Sequence, residues 1–151
     1  KKVYFMMNLS KFSETLGELT FERSLTAKKL AQETGVAAPT ITRYLRAERT
    51  PTVRNLVLLA DFFCCSTDFL LGLESESREQ SFRACPPFSE QIVCLAKHFN
   101  LSFYAFYHAV GISESSFFEW KNGTSQPTVE SLLKIAEHFD RRVDFILGRE
   151  S

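Results

Sequence analysis

The chain has 151 residues, 44% of them hydrophobic and 24% charged, with 18 basic side chains against 18 acidic ones. That length allows two small domains of a size at which helical folds are only marginally stable alone, and no apolar run nears the roughly 20 residues of a membrane span. The opening Lys1-Lys2-Val3-Tyr4-Phe5-Met6-Met7 is too short for a signal core and has no small-residue cleavage site, so a soluble, cytoplasmic protein is expected.

Residues 1–9 read as an N-terminal arm, and the first folded unit follows over 10–73. Phe12, Leu16 and Leu19 line one face of a first helix. Thr26 can cap a second segment running through Thr34. Gly35 supplies a left-handed turn, and a third segment runs over 37–46. Pro51-Thr52 then blocks helix from upstream and caps a fourth, whose Leu56, Leu59, Ala60 and Phe63 fall at i, i+3, i+4 and i+7. A short fifth segment closes the unit near Asp68-Phe69-Leu70-Leu71-Gly72. Residues 74–87, with Glu-Ser-Glu-Ser-Arg-Glu-Gln-Ser and then Pro86-Pro87, read as a solvated linker with a stiff end, a helical extension through Gln80 being the alternative.

From 88 to 151 the first unit is written again, displaced by 76 residues with no gap. Phe12-Ser13-Glu14 becomes Phe88-Ser89-Glu90, Pro51-Thr52-Val53 becomes Pro127-Thr128-Val129, and Leu71-Gly72 becomes Leu147-Gly148. Phe88, Ile92, Leu95 and Phe99 repeat the first helix, and Leu132, Ile135, Ala136 and Phe139 the fourth. Between them lie Ser102 to Val110, Gly111, and Ser113 to Asn122.

The zero net charge hides an asymmetry. Residues 1–73 carry 10 basic groups against 7 acidic, and residues 88–151 carry 6 against 8. A basic excess on the first copy suits a polyanionic partner. Cys64, Cys65, Cys85 and Cys94 have no CxxC spacing and no match between copies, so neither a disulfide framework nor a metal site is expected. Nothing points to an enzyme. The first copy has no histidine to serve as base, and His98, His108 and His138 stand at separations of 10 and 30, unlike a compact metal motif. No cofactor is expected.

Two short helices joined by a glycine turn form a helix-turn-helix. Leu25-Thr26, Leu30-Ala31, Gly35-Val36, Thr40-Ile41-Thr42-Arg43-Tyr44, Pro51 and Asp68 to Gly72 resemble the Cro-type (XRE) phage-repressor family of DNA-binding domains. The second copy has the same skeleton in Leu101-Ser102, Gly111-Ile112-Ser113, Trp120-Lys121-Asn122-Gly123, Pro127 and Asp144 to Gly148. The resemblance implies an all-α chain of two tandem five-helix lambda-repressor-like helix-turn-helix domains. It implies a sequence-specific transcriptional regulator, a repressor, with the helix over 37–46 in the major groove of double-stranded DNA.

On that reading Ala38, Pro39, Thr42 and Arg43 meet bases, Arg43 by the bidentate bond that guanidinium makes to guanine. Thr26, Lys28, Thr40, Arg46 and Arg49 meet phosphates. The blander reading of Arg43, Arg46, Arg49 and Arg54 is a solvated basic face. Tyr44, Trp120, Ile41 and Phe117 read as core. Few base-reading groups remain, so modest specificity per half-site is expected.

The second copy departs from the family where DNA would be met. Glu114, Phe118 and Glu119 occupy its reading helix, with Ser113, Ser115, Lys121 and Asn122 as the remaining groups suited to DNA. Tyr107 replaces the small Ala31, so its ring is expected to splay the helices or to turn outward. Exposed Phe103, Tyr104, Tyr107 and Phe118 would form an aromatic protein interface. Two roles stay open: a homodimer or partner interface, which is favoured, or a reader of a second half-site. The competing class for the whole chain is a protein-interaction adaptor, as an antitoxin is.

Overall fold

The computed structural model describes residues 9–76 and 81–150, and the described residues form helices joined by turns and loops. They divide into two compact units, one ending at Phe82 and the other beginning at Arg83. The expected arm therefore falls almost wholly outside the described residues, and its last residue, Leu9, already opens a helix. The alternative helical extension through Gln80 also reaches residues outside the description.

In the first unit α1 spans Leu9–Glu22, α2 Ala27–Thr34, α3 Ala38–Leu45, α4 Val53–Phe63 and α5 Thr67–Leu70. The boundaries follow local chemistry. Thr26 accepts the Lys29 amide at 3.1 Å to start α2, and Thr52 accepts that of Asn55 at 3.1 Å to start α4, each satisfying an amide with no partner inside its own helix. Gly35 ends α2 at φ 82°, its amide on the Ala31 carbonyl. Phe12, Leu16, Leu30, Ile41, Leu56, Leu59 and Leu70 are fully buried, and α1 meets α3 and α5 while α2 meets α3 and α4. The i, i+3, i+4 spacing thus becomes one apolar centre.

Gly72 has a further constraint. It sits at φ 80°, and a Cβ there would lie 2.6 Å from the Cβ of Lys11 on α1. Gly72→Ala is expected to destabilise the first unit by about 2 kcal/mol through backbone strain and overlap. Chemical denaturation checks this, and an unchanged midpoint would contradict it.

The second unit contains α6 Phe88–His98, α7 Phe103–Val110, α8 Glu114–Asn122, α9 Val129–Phe139 and α10 Val143–Leu147. Its helices meet in the same pattern: α6 with α8 and α10, α7 with α8 and α9, α9 with α10. Even the edge-on ring pair recurs, Phe12 on Tyr44 at 5.4 Å in one unit and Phe88 on Trp120 at 5.8 Å in the other.

The segment read as a linker, 74–87, makes contacts at both of its ends, each within one unit. Ser66 donates to the Glu74 carboxylate at 2.9 Å within the first unit. The Arg83 amide donates to the Arg149 carbonyl at 2.9 Å within the second. Pro86 lies against Gly148 closely enough that a Cβ there would be 2.8 Å from the proline Cδ. The Pro86 ring packs over a glycine that has no side chain to keep it off, and Pro87 stands at the amino cap of α6.

Candidate nucleic-acid interface

The turn from α2 to α3 is held from inside. Thr34 Oγ1 donates to the Leu30 carbonyl at 2.7 Å and accepts the Val36 amide at 3.2 Å, while Val36 itself is buried. On α3, Ile41 and Tyr44 face the core. The Tyr44 hydroxyl accepts from Asn55 Nδ2 at 3.0 Å, and Ser13 Oγ of α1 donates to the Leu45 carbonyl at 2.7 Å. Two helices therefore hold α3 near its carboxyl end by hydrogen bonds as well as by apolar contact. Ser13 and Asn55 had no role in the sequence reading, since an anchoring bond between distant segments leaves no periodic mark.

With 41 and 44 inward, the outward stripe of α3 and its cap is Pro39, Arg43 and Arg46, all exposed, at the i, i+4, i+7 spacing of one helical face. Ala38 and Thr40 are half-buried at its flank. So is Thr42, whose Oγ1 donates back to the Ala38 carbonyl at 3.1 Å. Its hydroxyl proton is spent on its own helix, which leaves Thr42 only as an acceptor. Arg49 follows in an exposed loop beside exposed Glu48.

On α2, Thr26 and Lys28 are exposed. Lys29 instead pairs with Glu33 at 3.1 Å across one helical turn. Exposed cations thus sit at the start of α2, at the end of α3 and in the loop beyond it, around an outward stripe with one long hydrogen-bonding side chain near its middle. This surface can take a polyanion on its rim and offer Arg43 to a groove.

The matching surface of the second unit is built differently. Ser113 caps α8 by accepting the Ser116 amide at 3.1 Å and donates to Ser116 Oγ at 2.8 Å. Ser115 stands 3.4 Å from that same cap hydroxyl. Lys121 holds its ammonium 5.5 Å from the centre of the Phe103 ring, and Asn122 is exposed. Glu114 and Glu119 are exposed where the first unit presents Ala38 and Arg43. Three of the four groups suited to DNA are thus engaged locally.

The aromatic face is less open than expected. Tyr104 is 63% exposed, but Phe103 and Phe118 are half-buried and Tyr107 is buried. The Tyr107 ring lies 5.6 Å from those of Tyr104 and Phe117 and 6.3 Å from that of Phe118. It therefore does not turn outward: neighbouring rings supply the apolar cover that a tyrosine at a small-residue site needs. Burial, and then the Glu114 carboxylate, push its hydroxyl above the ordinary tyrosine range.

Residues 18–70, a stretch within the first unit that runs from the end of α1 through α5, match the family model described as Helix-turn-helix. The chain is 31% identical over 72 residues, 48% of its own length, to a Bacillus subtilis (strain 168) protein named an uncharacterized HTH-type transcriptional regulator, YqaE. That alignment covers 60% of the relative, so the chain spans less than two thirds of it. No solved structure matches the chain at significant similarity. Among the described residues no helix is long and apolar enough to cross a membrane.

Proposed function

We propose that the chain is a sequence-specific DNA-binding transcriptional regulator, a repressor, whose first unit lays α3 in the major groove of double-stranded DNA. The observation that carries the reading is the stripe of Pro39, Arg43 and Arg46 on a helix anchored to α1 and α4, within the residues that match the helix-turn-helix family. A groove about 12 Å wide admits one such helix with its amino-terminal side chains toward the bases. Arg43 reads guanine, while Thr26, Lys28, Thr40, Arg46 and Arg49 hold the backbone. The relative's name as a transcriptional regulator supports the same class.

The second unit repeats the fold type in another role. Exposed Tyr104 against the rings of Tyr107 and His108, with carboxylates in place of base-reading groups, favours a protein contact: a homodimer that sets two first units on a palindromic site about one helical turn apart. The rival reading of the whole chain is a protein-interaction adaptor of antitoxin type.

Selection of bound duplexes from random DNA tests the proposal. One preferred half-site is expected. Arg43→Ala should relax preference at one base pair by about 1–3 kcal/mol, whereas Arg46→Ala should weaken all sequences alike. Enrichment of no sequence would favour the adaptor instead.

A further inference from the structure

We infer that α3 recognises a half-site in which a thymine lies one or two base pairs from a guanine, Pro39 packing on the thymine methyl and Arg43 bonding the guanine. The inference rests on the reading of α3 as the groove helix and names what that helix reads.

Four groups on α3, Ala38 and Pro39 in its first turn and Thr42 and Arg43 toward its end, were candidates for bases, and their environments separate them. Ala38 is half-buried, and its carbonyl is taken by Thr42 Oγ1. Thr42 can therefore accept from adenine N6 or cytosine N4 but cannot donate to the acceptors of guanine or thymine. Pro39 is exposed in the first turn. It has no amide proton, and its side chain is wholly apolar. A base edge pressed against it would leave any donor or acceptor unsatisfied, which is costly in a desolvated contact. Only thymine offers an apolar group, its C5 methyl, on the major-groove edge.

Arg43 lies four residues on, in the same exposed stripe. At a rise of about 1.5 Å per residue the two stand roughly 6 Å apart along α3, against about 3.4 Å between base pairs. That spacing sets the two contacts at adjacent or next-but-one pairs. Arg46 is less suited to the guanine, because it lies outside α3 as its carboxyl cap, almost a full turn beyond Arg43, and so farther from the amino-terminal turn that enters the groove.

The test uses the full chain and duplexes selected from a randomised core. The recovered half-site should hold a thymine within two base pairs of a guanine. Deoxyuridine in place of that thymine removes only the methyl and should weaken binding about fourfold. 7-Deazaguanine removes one of the two acceptors and should weaken it about tenfold. Pro39→Ser should abolish the uridine effect and keep the deazaguanine effect, and Arg43→Ala should do the reverse, each variant being checked for an unchanged unfolding midpoint. A half-site without such a thymine, or a uridine penalty that survives Pro39→Ser, overturns the inference while the proposed function stands. Failure to enrich any duplex overturns the proposed function and the inference with it.

Discussion

Arg149→Leu is expected to destabilise the second unit by about 3 kcal/mol. Arg149 and Asp144 are both fully buried and pair with each other inside the unit. Removing one partner of such a pair leaves a charge stranded in a medium that solvates it poorly, a loss of about 3–5 kcal/mol. The low end applies because Arg142 stands 3.9 Å from the other Asp144 oxygen, although it is held by Glu150 at 2.7 Å. Replacing both charges, Asp144→Leu with Arg149→Leu, should recover much of the loss, since apolar substitution of a whole pair is often neutral. Trp120 makes the measurement selective. It is the chain's one tryptophan and is buried in the second unit, so denaturation followed by its emission reports that unit alone. A shift below about 1 kcal/mol, or a double variant no better than the single, would contradict the assignment.

This pair also marks where sequence reasoning stopped. The residue matching Arg149 in the first copy is Leu73, so the comparison of copies gave no reason to look there. A charge beside the end of a repeat reads as solvated surface until the chain is seen to fold back. The same limit hid Arg23, whose guanidinium lies 5.1 Å from the Phe63 ring centre and donates to the Phe63 carbonyl at 3.3 Å. By contrast, the helix starts at Thr26, Thr52, Ser102 and Thr128 were legible, because a cap bond joins a residue to the amide three positions on. Core faces were legible for a similar reason, as periodicity places Ile41 with Tyr44 and Phe117 with Trp120.

The candidate site was legible in outline and blurred in detail. That Arg43 and Arg46 face outward follows from Ile41 and Tyr44 facing in. That Thr42 spends its proton on Ala38 does not follow, because a threonine hydroxyl on a helix chooses between its own backbone and the outside according to rotamer and exposure. Tyr107 shows the converse case. A bulky residue at a tight crossing was expected to splay the helices or to turn outward; it does not turn outward, and Phe117 and Phe118 give its ring a covered seat. Steric rules that consider one residue at a time miss such compensation.

Binding of the full chain to a single half-site is expected to weaken about fortyfold as salt rises from about 50 to 200 mM. Three cations proposed for phosphates, Lys28, Arg46 and Arg49, are exposed, and each neutralised phosphate contributes about −0.9 to the slope of log affinity against log salt. The expected slope is therefore about −2.7. Lys29 is not counted, because its ammonium is taken by Glu33. Substituting Lys28, Arg46 or Arg49 by alanine should each reduce the slope by about 0.9, while Arg43→Ala should lower affinity with little change in slope, its proposed partner being a base. A palindromic duplex held by two copies should double the slope to about −5.4. A second unit that also read DNA would add little, since Lys121 is the only cation suited to DNA on its reading helix. Slope and stoichiometry together thus separate the two roles of the second unit: near −5.4 with two chains bound supports a dimer contact, and near −3.6 with one chain spanning two half-sites supports a second reader. A salt-independent affinity would remove the phosphate assignments altogether.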